Sequence, residues 1–294
     1  MTPVEAVAVF VAGVAAGGVN TVVGSGTLIT FPVLLATGLS PVTATVSNAL
    51  GLVPGAVSGA FGYRRELRGQ RRRILRLSVG ALLGGFTGAV LLLALPATAF
   101  EKIVPVVVGL ALLLVAFQPL ITRSLRRRRA KAADDVSAGA TGDTPAGATS
   151  TGVTDGTSTG ATSGAPVGAP DRAPSRRDGG PLLFVGLALA SVYGGYFAAA
   201  QGIIYMSLMG VLLDETMQRL TAVKNVLVAV VNTVAATFFL FVADFDWTAV
   251  ALIAVGSALG GQIGASVGRR FSPVVLRTLI VVVGTVALVQ LLLR

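Results

Sequence analysis

The sequence predicts an all-α, polytopic membrane protein made of two inverted repeats, with about ten transmembrane segments. Three observations predict it. The 294 residues are 53% hydrophobic and 12% charged, with a mean hydropathy of +0.81, which is far too apolar for a water-soluble chain of this length. Apolar runs near the roughly 20 residues that a bilayer span requires recur along the whole chain. The chain also repeats itself. Gly84-Gly85-Phe86-Thr87-Gly88 returns as Gly260-Gly261-Gln262-Ile263-Gly264, 260 − 84 = 176 residues later. Val46-Ser47-Asn48 followed by Leu50 returns as Val223-Lys224-Asn225 followed by Leu227, 225 − 48 = 177 residues later. Duplicated membrane units are characteristic of transporters, whose halves move about a site held between them.

In chain order, the first repeat (1–122) has apolar segments near 4–22, 26–39, 42–63, 77–96 and 102–121. The second repeat (181–294) has them near 181–200, 203–213, 217–243, 247–268 and 273–293. Segments 26–39 and 203–213 are short and hold matching places in their repeats. The first segment follows Met1-Thr2-Pro3-Val4-Glu5, which has no basic residue. It therefore reads as a retained span, with the amino terminus outside, and not as a cleaved leader. Between the repeats, 123–180 opens with Arg123 and Arg126-Arg127-Arg128-Arg129, then runs through Ala, Gly, Thr, Ser, Pro and Asp with almost no large apolar side chain. Such a segment cannot bury a core and reads as a disordered cytoplasmic linker.

Arginine sets the orientation, because short loops rich in Arg and Lys stay cytoplasmic. Seven arginines lie between Arg64 and Arg76, two spans before the basic start of the linker. If the short segments cross, each repeat has five segments and the second starts on the opposite side from the first. Arg219, Arg269, Arg270 and Arg277 then join the cytoplasmic side, while Glu101, Asp244, Asp246 and the carboxyl terminus fall outside. The formal charge of +10 thus reflects topology and not nucleic-acid binding, since no aromatic residues interleave with the basic ones.

Composition also narrows the chemistry. Cysteine and histidine are absent, so disulfides, thiolate nucleophiles, imidazole catalysis and the usual zinc or haem ligands are excluded. No enzyme activity, metal or cofactor is expected. Asp and Glu are missing from every span interior, which disfavours cation carriers and carboxylate proton relays. The glycine-interrupted starts of the two short segments are the best pointer to a binding site: Gly24, Ser25, Gly26 and Thr27 in one, Gln201 and Gly202 in the other. A helix broken inside the membrane frees amide hydrogens that lipid cannot satisfy, and a helix amino terminus favours an anion. Asn20 and Thr21 add polar groups nearby. Lys224 is the one charged residue deep in an apolar span, and it shares a helical stripe with Thr221, Asn225 and Asn232. An alternative has Lys224 snorkelling to the interface. Asn48, a further candidate for the site, heads a stripe with Gly51, Gly55, Ser58, Gly59 and Gly62, and this stripe and the Gly84 and Gly260 motifs read as helix-packing seams.

In order, Gly17-Gly18, Gly24-Ser25-Gly26, Pro32, Ala44 to Asn48, Tyr193-Gly194-Gly195-Tyr196-Phe197, Lys224-Asn225, Phe245-Asp246-Trp247 and Gly260-Gly261 resemble the TauE/SafE family of sulfite and sulfonate exporters. The resemblance covers both repeats and misses only the linker. It implies an inner-membrane permease for sulfite or organosulfonates, matching the anion site read from the residues. Ala198, Ala199, Ala200 and Gln201 stand where family members are often richer in glycine. The expected partners are a small anionic substrate and membrane lipid. The alternative is a non-transporting scaffold whose basic loops and linker bind lipid or a partner.

Overall fold

A computed structural model describes residues 1–96, most of 102–117, 179–213, 215–267 and a few positions between 278 and 289. The linker up to residue 178, the arginines at 269, 270 and 277, and most of the last expected segment lie outside the described residues. Among those described, the helices in order are α1 (Pro3–Val22), α2 (Thr27–Ala36), α3 (Pro41–Gly62), α4 (Arg71–Ala94), α5 (Val108–Phe117), α6 (Gly180–Tyr196), α7 (Gln201–Leu212), α8 (Met217–Val242) and α9 (Trp247–Val267). Five of these, α1, α3, α4, α8 and α9, are long and apolar enough to cross a membrane. The chain is a multi-pass membrane protein.

Local chemistry sets the helix starts. Thr2 and Glu5 form a reciprocal capping box ahead of Pro3, and Ser40 accepts from the Thr43 amide ahead of Pro41. Thr216 caps α8 through Arg219, and the Asp246 carboxylate caps α9 through Ala249. Each cap satisfies an amide that the helix itself leaves open. Two boundaries differ from the sequence expectation. α4 starts at Arg71 and not near 77, because arginine is a good helix former and the basic residues supply its first turns. α6 stops at Tyr196 and not near 200, because Ala198 and Ala200 turn into left-handed backbone.

Glycine contacts fix the helix directions. A side chain at Gly13 or Gly17 of α1 would crowd α9 at Ile253 and Ser257, and Gly18 lies against Gly260, so these helices run parallel. Gly51, Gly55 and Gly62 of α3 meet Ile253, Ser257 and Ala265 of the same helix in the same order. Gly80, Gly84 and Gly88 of α4 meet Phe184, Ala188 and Val192 of α6, again in parallel. Arg73 pairs with Glu215 at the start of α8, and Gly85 meets Val231 farther along, so α4 and α8 run together too. α1, α3 and α9 thus form one parallel set and α4, α6 and α8 another. Ser47, near the start of α3, accepts from the Asp246 amide just beyond the end of α8, and Lys224, near the start of α8, reaches the end of α1. The two sets are therefore antiparallel. α1 and α3 point the same way, and so do α6 and α8, so α2 and α7 carry the chain back.

The glycine motifs of the sequence are helix crossings, as expected from small-residue spacing. The contacts themselves repeat: Gly85 packs on Val231 and Gly261 on Gly55, with 261 − 85 = 176 and 231 − 55 = 176. At one end of the molecule Glu215 joins Arg73 of α4 and Arg219 of α8, each at 3.0 Å.

Left-handed backbone costs a non-glycine residue about 1–2 kcal/mol. Ala198 (φ 62°) and Ala200 (φ 58°) both carry that cost. Ala200→Gly is expected to stabilise the protein by about 1 kcal/mol, seen as a higher midpoint of thermal unfolding in detergent. A lower midpoint would contradict the strain.

Candidate functional site

Two helix breaks of the same build meet at the centre of the contact pattern. At the first, the amides of Val23 and Gly24 both return to the Val19 carbonyl, at 2.7 and 3.1 Å, and Gly24 takes φ 89°. At the second, the amides of Phe197 and Ala198 both return to the Tyr193 carbonyl, at 3.0 and 3.4 Å, and Ala198 takes φ 62°. Left-handed termination of this kind satisfies the last carbonyls of a helix. α2 and α7 then restart within a few residues. The Tyr193 hydroxyl donates to the Ala199 carbonyl at 2.5 Å and braces the second break.

The breaks touch through backbone. The Gly202 amide donates to the Gly24 carbonyl at 3.0 Å, and a Cβ on either glycine would strike the α-carbon of the other. Only glycine at both positions allows this approach. An edge-on ring contact between Phe31 of α2 and Phe197, with centroids 5.0 Å apart, supports the junction. The Gly202 amide, expected to face a solute, is thus taken by protein. No described group accepts from the backbone amides of Ser25, Gly26 or Thr27, and the buried Ser25 hydroxyl has no partner among the described residues.

Lys224 is fully buried. Its Nζ donates to the carbonyls of Asn20 at 2.8 Å and Thr21 at 3.0 Å, and its stem runs beside Gly202. It neither snorkels nor lines the crevices described next. The ammonium sits at the carboxyl-terminal end of α1, where the helix dipole and orphan carbonyls favour a cation.

Beside the junction lie two adjoining crevices, the first too narrow for a water molecule and the second with room for about one. Thr27, Leu52, Ala198 and Asn232 line both. Asn20, Gly24 and Gln201 face the first, and Thr45, Asn48 and Tyr196 the second. No carboxylate lines either, and no group of three or more potential metal ligands occurs among the described residues. The lining mixes amide and hydroxyl groups with apolar side chains such as Leu52, Val228 and Phe239 and is formally neutral.

Of the residues singled out from sequence, Asn20, Gly24, Thr27, Asn48 and Gln201 line this space. Ser25, Gly26, Gly202 and Lys224 build the junction behind it. The Thr21 hydroxyl donates to Gly17 and packs against Gly59, between α1 and α3. Thr221 bonds to the Met217 carbonyl on its own helix. Asn225 is buried, its Nδ2 has no partner among the described residues, and it lines neither crevice. Sequence reading placed Asn232 on the polar stripe without assigning it to the site, and missed Thr30, Ser191 and Tyr205. Thr30 donates to Asn48 at 2.5 Å, and Tyr205 joins Gln201 to Ser191. The spacings of Thr27 with Thr30 and of Gln201 with Tyr205 put each pair on one helix face and could have signalled them.

A bundle of membrane-spanning helices, broken twice at a shared polar crevice, defines a membrane transporter. The chain matches the family described as "Sulfite exporter TauE/SafE" over residues 9–291, and it belongs to that family. It is 22% identical over 284 residues to the probable membrane transporter protein YfcA of Escherichia coli, covering 96% of this chain and 88% of that protein. It is 29% identical over 120 residues to a probable membrane transporter protein of Haemophilus influenzae, covering 41% of this chain and 47%, less than half, of that relative. No solved structure matches the chain.

Replacing Lys224 leaves two buried carbonyls open, and each charge-assisted bond is worth about 1.5–3 kcal/mol, partly offset by relief of burying a charge. Lys224→Met is expected to destabilise the protein by about 2 kcal/mol, lowering the unfolding midpoint in detergent. An unchanged midpoint would mean the ammonium does not hold α1.

Proposed function

We propose that this protein is a permease for small anions, with sulfite or organosulfonates as the fitting class, working by alternating access between two inverted repeats. The observation that carries the reading is the backbone junction of Gly24 with Gly202, which puts two helix restarts against a formally neutral crevice bearing several amide and hydroxyl groups. The open amide of Thr27, which lines the crevice, and the amino-terminal end of α2 favour negative charge there. The narrowness of the crevice fits an occluded state that widens as the repeats move.

The helix directions support the inverted arrangement. α1, α3 and α4 each run opposite to their counterparts α6, α8 and α9. The pairing of Arg73 with Glu215 supports ten segments, because it requires an even number of crossings between those two residues, and α7 must be one of them beside α4, α5 and α6. With the Arg64–Arg76 end cytoplasmic, the linker is cytoplasmic and both termini are outside. In a cell membrane that is negative inside, expulsion of an anion is favoured by about 2.3 kcal/mol per charge per 100 mV, and the crevice has no carboxylate to couple import to protons. Export is the favoured direction.

Proteoliposomes test this. Native protein is expected to carry sulfite and small sulfonates, and Thr27→Val and Asn232→Leu to lower flux about tenfold each, the loss expected for one hydrogen bond to a charged ligand. Phe241→Ala, at an exposed lipid-side position, should leave flux intact. Native flux no higher than in protein-free vesicles would refute the reading.

A further inference from the structure

Two hydrogen-bond chains end at the first crevice, one from each repeat, and proton counting gives each a direction. In the second repeat, the Ser191 hydroxyl donates to the Leu187 carbonyl at 2.6 Å. Its single proton is then used, so the 2.6 Å contact with Tyr205 must be donated by the Tyr205 hydroxyl. The Tyr205 oxygen accepts in turn from Gln201 Nε2 at 2.7 Å. This sequence holds the Gln201 amide in one orientation and leaves Oε1, buried and without a partner among the described residues, as a bare acceptor on a side chain lining the crevice.

In the first repeat the chain ends in the opposite sense. Thr30 Oγ1 lies 3.5 Å from the Gly26 carbonyl but 2.5 Å from Asn48 Oδ1 and gives its proton to the nearer oxygen, which turns Asn48 Nδ2 toward Thr27, where it donates to Oγ1 at 3.3 Å. The Thr27 oxygen is thereby an acceptor within the protein, and its own proton has no acceptor among the described residues. Thr27 is 3% exposed and Gln201 1%, so neither group has bulk water to fall back on. The amides of Asn20 and Asn232 are tied into neither chain and can present either end.

We propose that the site selects an anion carrying its own hydrogen-bond donor, with the anionic oxygens meeting Thr27 and the amide-rich wall and the donor meeting Gln201 Oε1. This rests on the permease reading and narrows its substrate class to solutes such as a singly protonated sulfur oxyanion or a hydroxyl-bearing sulfonate. A solute without a donor leaves Gln201 Oε1 buried and unpaired, and sites built around a hydrogen bond reject such analogues strongly. Gln201 is a specificity-determining residue and Tyr205 positions it.

The test compares 2-hydroxyethanesulfonate with ethanesulfonate, a pair differing in one hydroxyl, and runs hydrogensulfite against sulfate as a second arm, all in proteoliposomes of the full chain. Native protein is expected to favour 2-hydroxyethanesulfonate about tenfold or more in transport efficiency. Gln201→Met should bring the transport ratio of the pair within about twofold, and Tyr205→Phe, which frees the amide to turn, should give an intermediate ratio. Equal native transport within both pairs, or a preference that survives in Gln201→Met, overturns the proposal while leaving the permease reading standing. If Gln201→Met does not assemble, the native ratio and the Tyr205→Phe ratio decide. Preference for the hydroxysulfonate alone identifies an organic sulfonate as the solute; preference for hydrogensulfite alone identifies the inorganic one. No native flux of any of the four removes both this proposal and the reading beneath it.

Discussion

The hydrogen bond from the Gly202 amide to the Gly24 carbonyl is the constraint on which the rest of the centre depends. Each helix break frees backbone groups at membrane depth, where an open amide or carbonyl costs several kcal/mol. Each break meets part of that need by turning back on its own helix, and the two meet another part through each other. The cost of the arrangement is steric. Neither position accepts a Cβ, so the crevice walls on both sides are placed by two residues that have no side chain.

Lys224 serves the same end from a different direction. A buried ammonium has no aqueous partner, and the carbonyls at the end of α1 have lost theirs to the break. Joining them satisfies both and ties α8 to α1 behind the junction. The amine therefore lies behind a crevice that no charged side chain lines, held on two carbonyls at the end of α1. Around it, packing of glycine on helix backbone brings α1 and α3 onto α9, and α4 onto α6, at distances that larger side chains would forbid.

Much of this was legible in the sequence. The duplicated Gly-Gly motifs located the crossings, and the two short segments with glycine before them located the breaks. What periodicity could not supply was the partner of each group. Lys224 reads the same on a helical wheel whether its amine meets a solute, a headgroup or a carbonyl 203 residues away. Thr21 and Thr221 read as polar side chains near a site, yet each satisfies its hydroxyl on its own helix. Tyr205 and Ser191 were invisible because an apolar membrane helix gives no pattern against which a single hydroxyl stands out. The left-handed alanines at 198 and 200 were also hidden, since the usual glycine signal for such backbone is absent there.

A double-mutant cycle on Gly24 and Gly202, read as flux in proteoliposomes and as unfolding midpoint in detergent, tests the junction most directly. Each Gly→Ala substitution should separate the breaks, so the second should add little once the first is present. The account predicts a coupling of at least about 1 kcal/mol between the two sites, in the range seen for residues in contact. Additive losses would contradict it, because they would mean that the two glycines act independently and that the breaks do not share one contact.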